Sequence, residues 1–550
     1  MARLGLTATT LAALAACGGP HRAPGPAAGA AATCDAAATR AYVRASWATL
    51  TRSNASLLGT ALDGADRASM YVAADADVDA IRAELVAELG AARAARVELT
   101  PLPADPAALV PLVPLYLPHP YVVPGGRFQE MYGWDSFFIL QGLLVDGEVD
   151  LARGMTDNFL YEVEHYGMVL NANDSVFLTR SQPPLLSGMV RAIFDATGDR
   201  AWLARALPIV ERYHAHWLGA DHAAGDGLAR YFDHGAGPAP EVVADVEPGG
   251  THYDRVRAWY RAHPDQAPAA AYDAATDTLT PRFYQADRAM RESGFDPTDR
   301  FGRFAADILD YAPVCLNSLL FAMERDLGDL HAALGDADEA DAWHARAEAR
   351  RARVRATMWD DARGLFMDYR FTDDTRSSYP FVTTFFPLWV GLADDAEARR
   401  VAGNLELFLR AGGLSTSTTA SGSQWDEPFG WAPMQVVAVD GLRRYGLDAD
   451  ADRAATAFLG TVTRDFCAHG TIVEKYDVVH RTSRLAELAF GYTTNEIGFG
   501  WTNAAYAVLL AGLGDGGAAV VDAAATATAP DDAPAATEAA APAAAPAAAD

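Results

Sequence analysis

Pro124-Gly125-Gly126-Arg127-Phe128-Gln129-Glu130-Met131-Tyr132-Gly133-Trp134-Asp135-Ser136-Phe137 packs unusual chemistry into one turn-to-helix stretch. Its two glycines let backbone approach a ligand closely, Arg127 offers a planar fork of donors, and Trp134 beside Asp135 pairs an aromatic face with a hydrogen-bond acceptor. That combination suits a sugar, whose ring presents C–H faces and hydroxyls together. From Met131 onward the spacing turns helical, with Phe137, Leu140, Leu143 and Leu144 on one side. A second segment, Gln424-Trp425-Asp426-Glu427-Pro428-Phe429-Gly430-Trp431-Ala432-Pro433-Met434-Gln435, repeats the aromatic and carboxylate pairing.

Away from these two segments the helical period dominates. It restarts at Leu151, Leu185, Ala201, Pro313, Glu339, Phe385, Glu397, Met434, Asp452 and Trp501, with Gly- and Pro-bearing loops between, and sustained strand alternation is scarce. About a dozen helices fit an all-α fold, the (α/α)6 toroid, whose helix ends and loops frame a central pocket. Periodicity alone equally permits an α-solenoid, so the motifs must choose.

The chain has 550 residues, half of them apolar, enough to bury a large core. A formal charge of -28 repels nucleic-acid phosphate and anionic lipid headgroups, and no Lys/Arg run overcomes that field locally, so nucleic acid is not an expected partner. Lys475 is the one lysine; arginine supplies every other basic side chain.

Residues 1–16 read as a signal peptide, with Arg3 ahead of an apolar run and small residues before Cys17. Leu14-Ala15-Ala16-Cys17 resembles a bacterial lipobox, which makes Cys17 a lipidation site; the alternative is an ordinary secretory signal cut near Ala32. The expected location is the periplasm or cell envelope, with the membrane reached only through that lipid anchor. Residues 17–36 are expected to be a flexible tether, 37–513 a catalytic domain, and 514–550 a disordered Ala/Pro-rich tail. With Cys17 acylated and Cys34 in the tether, Cys315 and Cys467 are expected to be small buried residues; one disulfide remains an alternative.

Together the two opening segments closely resemble the diagnostic motifs of the trehalase family, glycoside hydrolase family 37. The likeness extends to Asn171 and Leu178-Thr179-Arg180-Ser181-Gln182-Pro183-Pro184, to Glu292-Ser293-Gly294-Phe295-Asp296, to Val473-Glu474-Lys475-Tyr476, and to Gly498-Phe499-Gly500-Trp501-Thr502-Asn503, in the family's order. It spans roughly 70% of the chain. It implies a toroid and hydrolysis of trehalose to two glucose molecules with inversion, by a monomer that needs no cofactor.

Such hydrolysis requires a protonated carboxyl beside the leaving oxygen and an ionised one that deprotonates water on the opposite face. Asp296 sits where the family's general acid sits, with Gly294 allowing a turn and Phe295 able to desolvate the carboxyl. Glu292 is the alternative for the acid. Glu474 falls at the position of the general base, with an ion pair to Lys475 as the competing role for its side chain. Arg127, Phe128, Trp134, Asp135, Asn171, Arg180, Gln182, Gly294, Trp425 and Trp431 are implied to grip substrate. The family's third arginine does not align cleanly; Arg282 is the candidate, and Arg288 the weaker one.

Departures from the family pattern bear on specificity. Phe295 stands for a tryptophan, Pro297 for an aromatic, Asp174 for an arginine and Cys315 for an aspartate, while the acidic lid contact is missing or moved to Glu496. Two further readings therefore stay open: an inverting hydrolase of another α-glucoside, and a catalytically weak trehalose-binding lipoprotein. No His-Glu-x-x-His or paired-cysteine spacing supports a metal. His252-Tyr253-Asp254-Arg255 reads as a structural turn or a loop that covers substrate.

Overall fold

The computed structural model describes residues 34–105, 108–246 and 249–527. The expected signal peptide, the Cys17 lipidation site and residues 528–550 lie outside the described residues. Fourteen helices carry the architecture. They are α1 (Ala36–Leu50), α2 (Gly133–Val145), α3 (Val149–His165), α4 (Leu186–Thr197), α5 (Arg200–Trp217), α6 (Pro281–Glu292) and α7 (Val314–Leu334). After them come α8 (Ala337–Met358), α9 (Phe386–Trp389), α10 (Asp395–Gly403), α11 (Ala432–Arg444), α12 (Asp448–His469), α13 (Gly500–Gly512) and α14 (Gly517–Thr526).

Six of these close a ring: α2 packs on α4, α4 on α7, α7 on α9, α9 on α11, α11 on α13, and α13 returns to α2. Outside the ring α1, α3, α5, α8 and α12 each rest on one or two inner helices. This is the (α/α)6 toroid. Composition decides which helix goes where. In α2, 10 of 13 residues are buried, leaving no solvated face, whereas α8 buries 6 of 22 along a single stripe and turns its charges outward. Local chemistry sets the ends: Thr280 caps α6 by accepting from Phe283 N, with Pro281 in its first turn, and left-handed glycines stop α4, α7 and α12.

Several boundaries differ from the sequence reading. Cys34 forms a disulfide with Cys467 across 433 residues, so Cys467 is not a lone buried thiol and the tether ends two residues before α1; Cys315 is buried and free, as expected. The low-complexity tail does not start at 514. Alanine-rich sequence makes a good helix, and α14 docks closely on α12 at Gly460, with Arg481 donating to Ala524 O and Ala527 O at 2.6 and 2.7 Å. Residues Ala68–Val72 and Val97–Pro101 pair in parallel around a crossover helix, Val78–Leu89, a small βαβ layer with its own core that helical periodicity did not announce. Residues His252–Ala262 form a helix capped by the reciprocal Thr251 and Asp254 bonds, not a turn or covering loop.

Candidate active site

The sequence candidates collect in segments that lead from an outer helix into the next inner one. Gly125 to Trp134 enters α2, Asn171 to Gln182 enters α4, Asp296 lies between α5 and α7, Trp425 to Trp431 enters α11, and Glu474 to Glu496 enters α13. These segments therefore share one end of the toroid.

Asp296 follows α6 through a turn at Gly294, whose φ of +78° is left-handed and whose absent side chain leaves room for Trp134; a Cβ there would sit 2.7 Å from the indole. The turn brings the carboxylate back onto α6, where Arg291 Nη1 donates to Asp296 Oδ2 at 3.1 Å. Arg291 is anchored by Asp287 one helical turn earlier, Nε to Oδ2 at 2.9 Å and Nη2 to Oδ1 at 3.2 Å. Tyr253 OH donates to the same Asp287 at 2.7 Å, so the helix His252–Ala262 backs this chain of charges. Burial pushes the Asp296 carboxyl up to about 7, with Arg291 and then Arg180 pulling the other way. Glu292 is occupied elsewhere, accepting from Ser181 N at 3.3 Å and Phe232 N at 2.6 Å.

Glu474 is buried just before the second strand of a short antiparallel pair, β1 (Phe429–Trp431) with β2 (Lys475–Asp477), in which Trp431 faces Lys475. Its main chain is fixed on both sides: Glu474 N donates to Glu496 O at 2.9 Å, and Trp501 Nε1 and Thr502 Oγ1 both donate to Glu474 O at 3.3 Å. Lys475 Nζ donates to Glu474 Oε2 at 2.7 Å and lies 5.1 Å from the centre of the Trp431 ring. Asp135, in the first turn of α2, links the two candidates. Burial first, then the negative charge of Glu474 and of Asp296, drives its carboxyl far above the usual carboxylate range. Tyr492 also feels Asp296 and Glu474, and burial pushes its hydroxyl up. Asp135 and Tyr492 both lie near enough to feel the charge of Asp296 and of Glu474, which puts the two carboxyls in one neighbourhood.

Arginines surround that neighbourhood unequally. Arg180 is almost fully buried, with Nη2 donating to Glu241 Oε1 at 2.5 Å and Nη1 3.6 Å from Asp233 Oδ2; its Nε and Nη1 have no hydrogen-bond partner. Arg127 is half exposed at the rim, 3.5 Å from Glu496 Oε1, with its guanidinium 5.5 Å from the Tyr492 ring. Gly126 makes that contact possible, since any side chain there would collide with Glu496. Neither sequence candidate for a third arginine contacts Asp296. Arg282 points to a more open surface and binds Asp310 at 2.8 Å, and Arg288 is tied to Asp233 and the carbonyls of Gly237 and Pro238. Arg291 takes the place beside Asp296. Its signal was in the sequence: Asp287 and Arg291 are spaced i, i+4 on a helix that ends just before the acid. Tyr492 and Glu241 carried no comparable signal, because Tyr492 reaches the site from a distant loop and Glu241 from the separate short helix Pro240–Ala244.

Beneath the carboxyls lies an aromatic floor. Trp425 and Trp431 stack at 3.9 Å between ring centres, and Trp134 meets Trp425 at 5.5 Å and Trp501 at 5.6 Å. All four are 2–3% exposed, so most of their area is spent on one another. Gln182 Oε1 accepts from Trp134 N at 2.8 Å, Asn171 O accepts from Gly133 N at 3.1 Å, and Phe128 packs edge-on to Tyr132. Of the family departures, Phe295, Cys315 and Asp174 are buried in the packing. Phe295 is 1% exposed, among Trp134, Trp425 and Phe381. Cys315 Sγ lies 3.5 Å from Arg300 Nη1, and that arginine donates to Asp368 at 2.7 and 2.5 Å. Asp174 caps the short turn Ser175–Phe177.

Comparison with known proteins agrees with this geometry. The sequence model of the trehalase family, "Trehalase", matches residues 87–514. A periplasmic trehalase of Xanthomonas campestris pv. campestris is 38% identical over 416 residues, covering 72% of this chain and 68% of that protein. The cytosolic neutral trehalase of Saccharomyces cerevisiae is 36% identical over 429 residues, 70% of this chain and 56% of the yeast protein. The solved structure of the yeast neutral trehalase Nth1 superposes with a TM-score of 0.72 at 29% identity, covering 89% of this chain and 96% of that one. By the length and identity of these matches, the chain belongs to the trehalase family.

Proposed function

We propose that this chain is an inverting α,α-trehalase in which Asp296 is the general acid and Glu474 the general base. Asp296 gives its proton to the glycosidic oxygen as the bond to one anomeric carbon breaks. Glu474 takes a proton from a water whose oxygen bonds that carbon from the opposite face. One glucose leaves as the β-anomer, the other as α. The observation that carries the reading is the unlike support of two carboxyls in one neighbourhood: burial holds Asp296 near neutrality, as a proton donor needs, while Glu474 has an ammonium against one oxygen. Asp135, raised far above the usual range, is suited to donate a hydrogen bond to a sugar hydroxyl, and Arg180, whose Nε has no hydrogen-bond partner, to donate another. Arg127 and Tyr492 supply the rim, Asn171 and Gln182 hold the backbone of the Trp134 turn, and the stacked tryptophans form a rigid floor.

The chain is read as exported. A disulfide between Cys34 and Cys467 fits an oxidising compartment, and the Xanthomonas relative is named as periplasmic. Lipidation at Cys17 is the proposed route to the membrane. Because Phe295 and Cys315 are buried within the packing, neither gives grounds for preferring another α-glucoside. The test is turnover of purified chain on trehalose, maltose and kojibiose. Trehalose is expected to rank first by kcat/KM, and a higher rank for either of the others would overturn the substrate reading.

A further inference from the structure

Behind Glu292 three histidines converge from separate segments: His216 in the last turn of α5, His222 at the end of the short helix Ala220–His222, and His234 in the loop that follows. One ring nitrogen from each lies within 4.8 Å of the others. The ring centres are 4.9, 5.5 and 6.0 Å apart. Imidazoles bound to one tetrahedral ion at about 2.0–2.1 Å place their ring centres about 5 Å from one another. The cluster is therefore close to coordination geometry.

The polar atoms there are only partly satisfied by the protein itself. His222 is fully buried, and neither of its ring nitrogens has a hydrogen-bond partner; His216 Nε2 is also buried without one. A buried imidazole lacking partners costs free energy that a coordinated cation would recover. Negative charge stands next to the cluster. Asp221 Oδ2 is 3.2 Å from His234 Nδ1, and Glu292 Oε2 is 3.4 Å from His222 Nε2, the carboxylate-to-histidine pairing that orients metal ligands. The His234 side chain is 39% exposed, which gives an ion a way in.

We propose that His216, His222 and His234 form a binding site for a divalent late-transition-metal ion of the zinc class, with water or Asp221 at the fourth position. Neutral imidazole suits Zn²⁺, Ni²⁺ and Cu²⁺ and disfavours Mg²⁺ and Ca²⁺. The site is structural, and none of its three ligands is among the residues assigned to glycosidic-bond cleavage. It ties the end of α5 to the loop through Phe232, whose amide holds Glu292, the residue next to Arg291. Sequence spacing hid it, because the three ligands follow no zinc motif.

The experiment is calorimetric titration of tag-free, chelator-treated full chain with Zn²⁺, alongside thermal melts with and without the ion. Wild type is expected to bind one equivalent and to melt higher with Zn²⁺, and His216→Ala and His234→Ala to lose that stoichiometric binding and the shift while keeping a cooperative melt without metal. Absence of binding by wild type, or binding that persists unchanged in both variants, would overturn the proposal. Trehalose turnover is read separately, so loss of the metal site and loss of the hydrolase reading remain distinguishable.

Discussion

Lys475 Nζ lies 2.7 Å from Glu474 Oε2, and both side chains are buried. Of 44 basic residues this is the one lysine. Elsewhere the chain meets every need for positive charge with arginine, whose planar fork is wider and less able to sit as a point charge between Trp431 and a single carboxylate oxygen. Lys475→Arg is therefore expected to lower kcat by about 10²-fold, and Lys475→Met by more, since removing one partner of a buried pair also costs about 3–5 kcal/mol of stability. Steady-state kinetics with parallel melts checks both; normal kcat in Lys475→Arg would remove any demand for a compact cation.

The pH dependence follows from Asp296. Its carboxyl is held up to about 7, so the protonated form that a general acid needs is lost as pH rises through that value, and kcat/KM is expected to fall tenfold per unit above it. Arg291 pulls the carboxyl down, so Arg291→Gln is expected to move the alkaline limb upward, at the cost of stability from the unpaired Asp287. Stability carries the same signature. A group whose folded value lies above its unfolded value of about 3.9 binds more protons in the native state, so its stabilising contribution is full below that pH and is lost as pH rises to about 7. Asp296→Asn is thus expected to abolish turnover and to raise Tm relative to wild type at pH 8 more than at pH 4.

Arg180 and Arg282 make a clean contrast. Arg180→Ala removes a buried guanidinium and exposes Glu241 and Asp233 to each other, and is expected to cost several orders of magnitude in kcat/KM. Arg282→Ala breaks one partly exposed pair with Asp310 and is expected to change stability by less than about 1 kcal/mol, with kinetics near wild type.

Reduction of the disulfide between Cys34 and Cys467 is expected to lower Tm, because the bridge pins α1 to α12 and closes most of the chain into one loop. The typical cost is about 2–4 kcal/mol. Cys34→Ser and Cys467→Ser should match the reduced wild type, and Cys315→Ser, which touches neither cysteine, should keep the reductant sensitivity.

Much of this was legible in the sequence where local pattern and fold agree. Helix starts read from periodicity at Met131, Leu185, Ala201, Pro313, Phe385 and Trp501 lie within two residues of the observed Gly133, Leu186, Arg200, Val314, Phe386 and Gly500. Closure of the ring is a long-range property that no helix carries alone, and it came from the motif resemblance. What the sequence hid depends on pairings across the chain: Cys34 with Cys467, Asp368 with Arg300, Tyr492 over Arg127, and three histidines that meet only when α5 ends. That Arg291 and not Arg282 contacts Asp296 has a different origin. Arg282 and Arg291 lie on the same helix, and only the turn at Gly294 decides which of them the acid folds back upon.

The most direct test of acid–base inversion by Asp296 and Glu474 is proton NMR of glucose anomers released from trehalose during the first minutes of turnover. Equal initial α- and β-glucose is the expected result, because inversion occurs at one ring and leaves the other as α. Release of α-glucose alone would mean retention and contradict the roles assigned to both carboxyls.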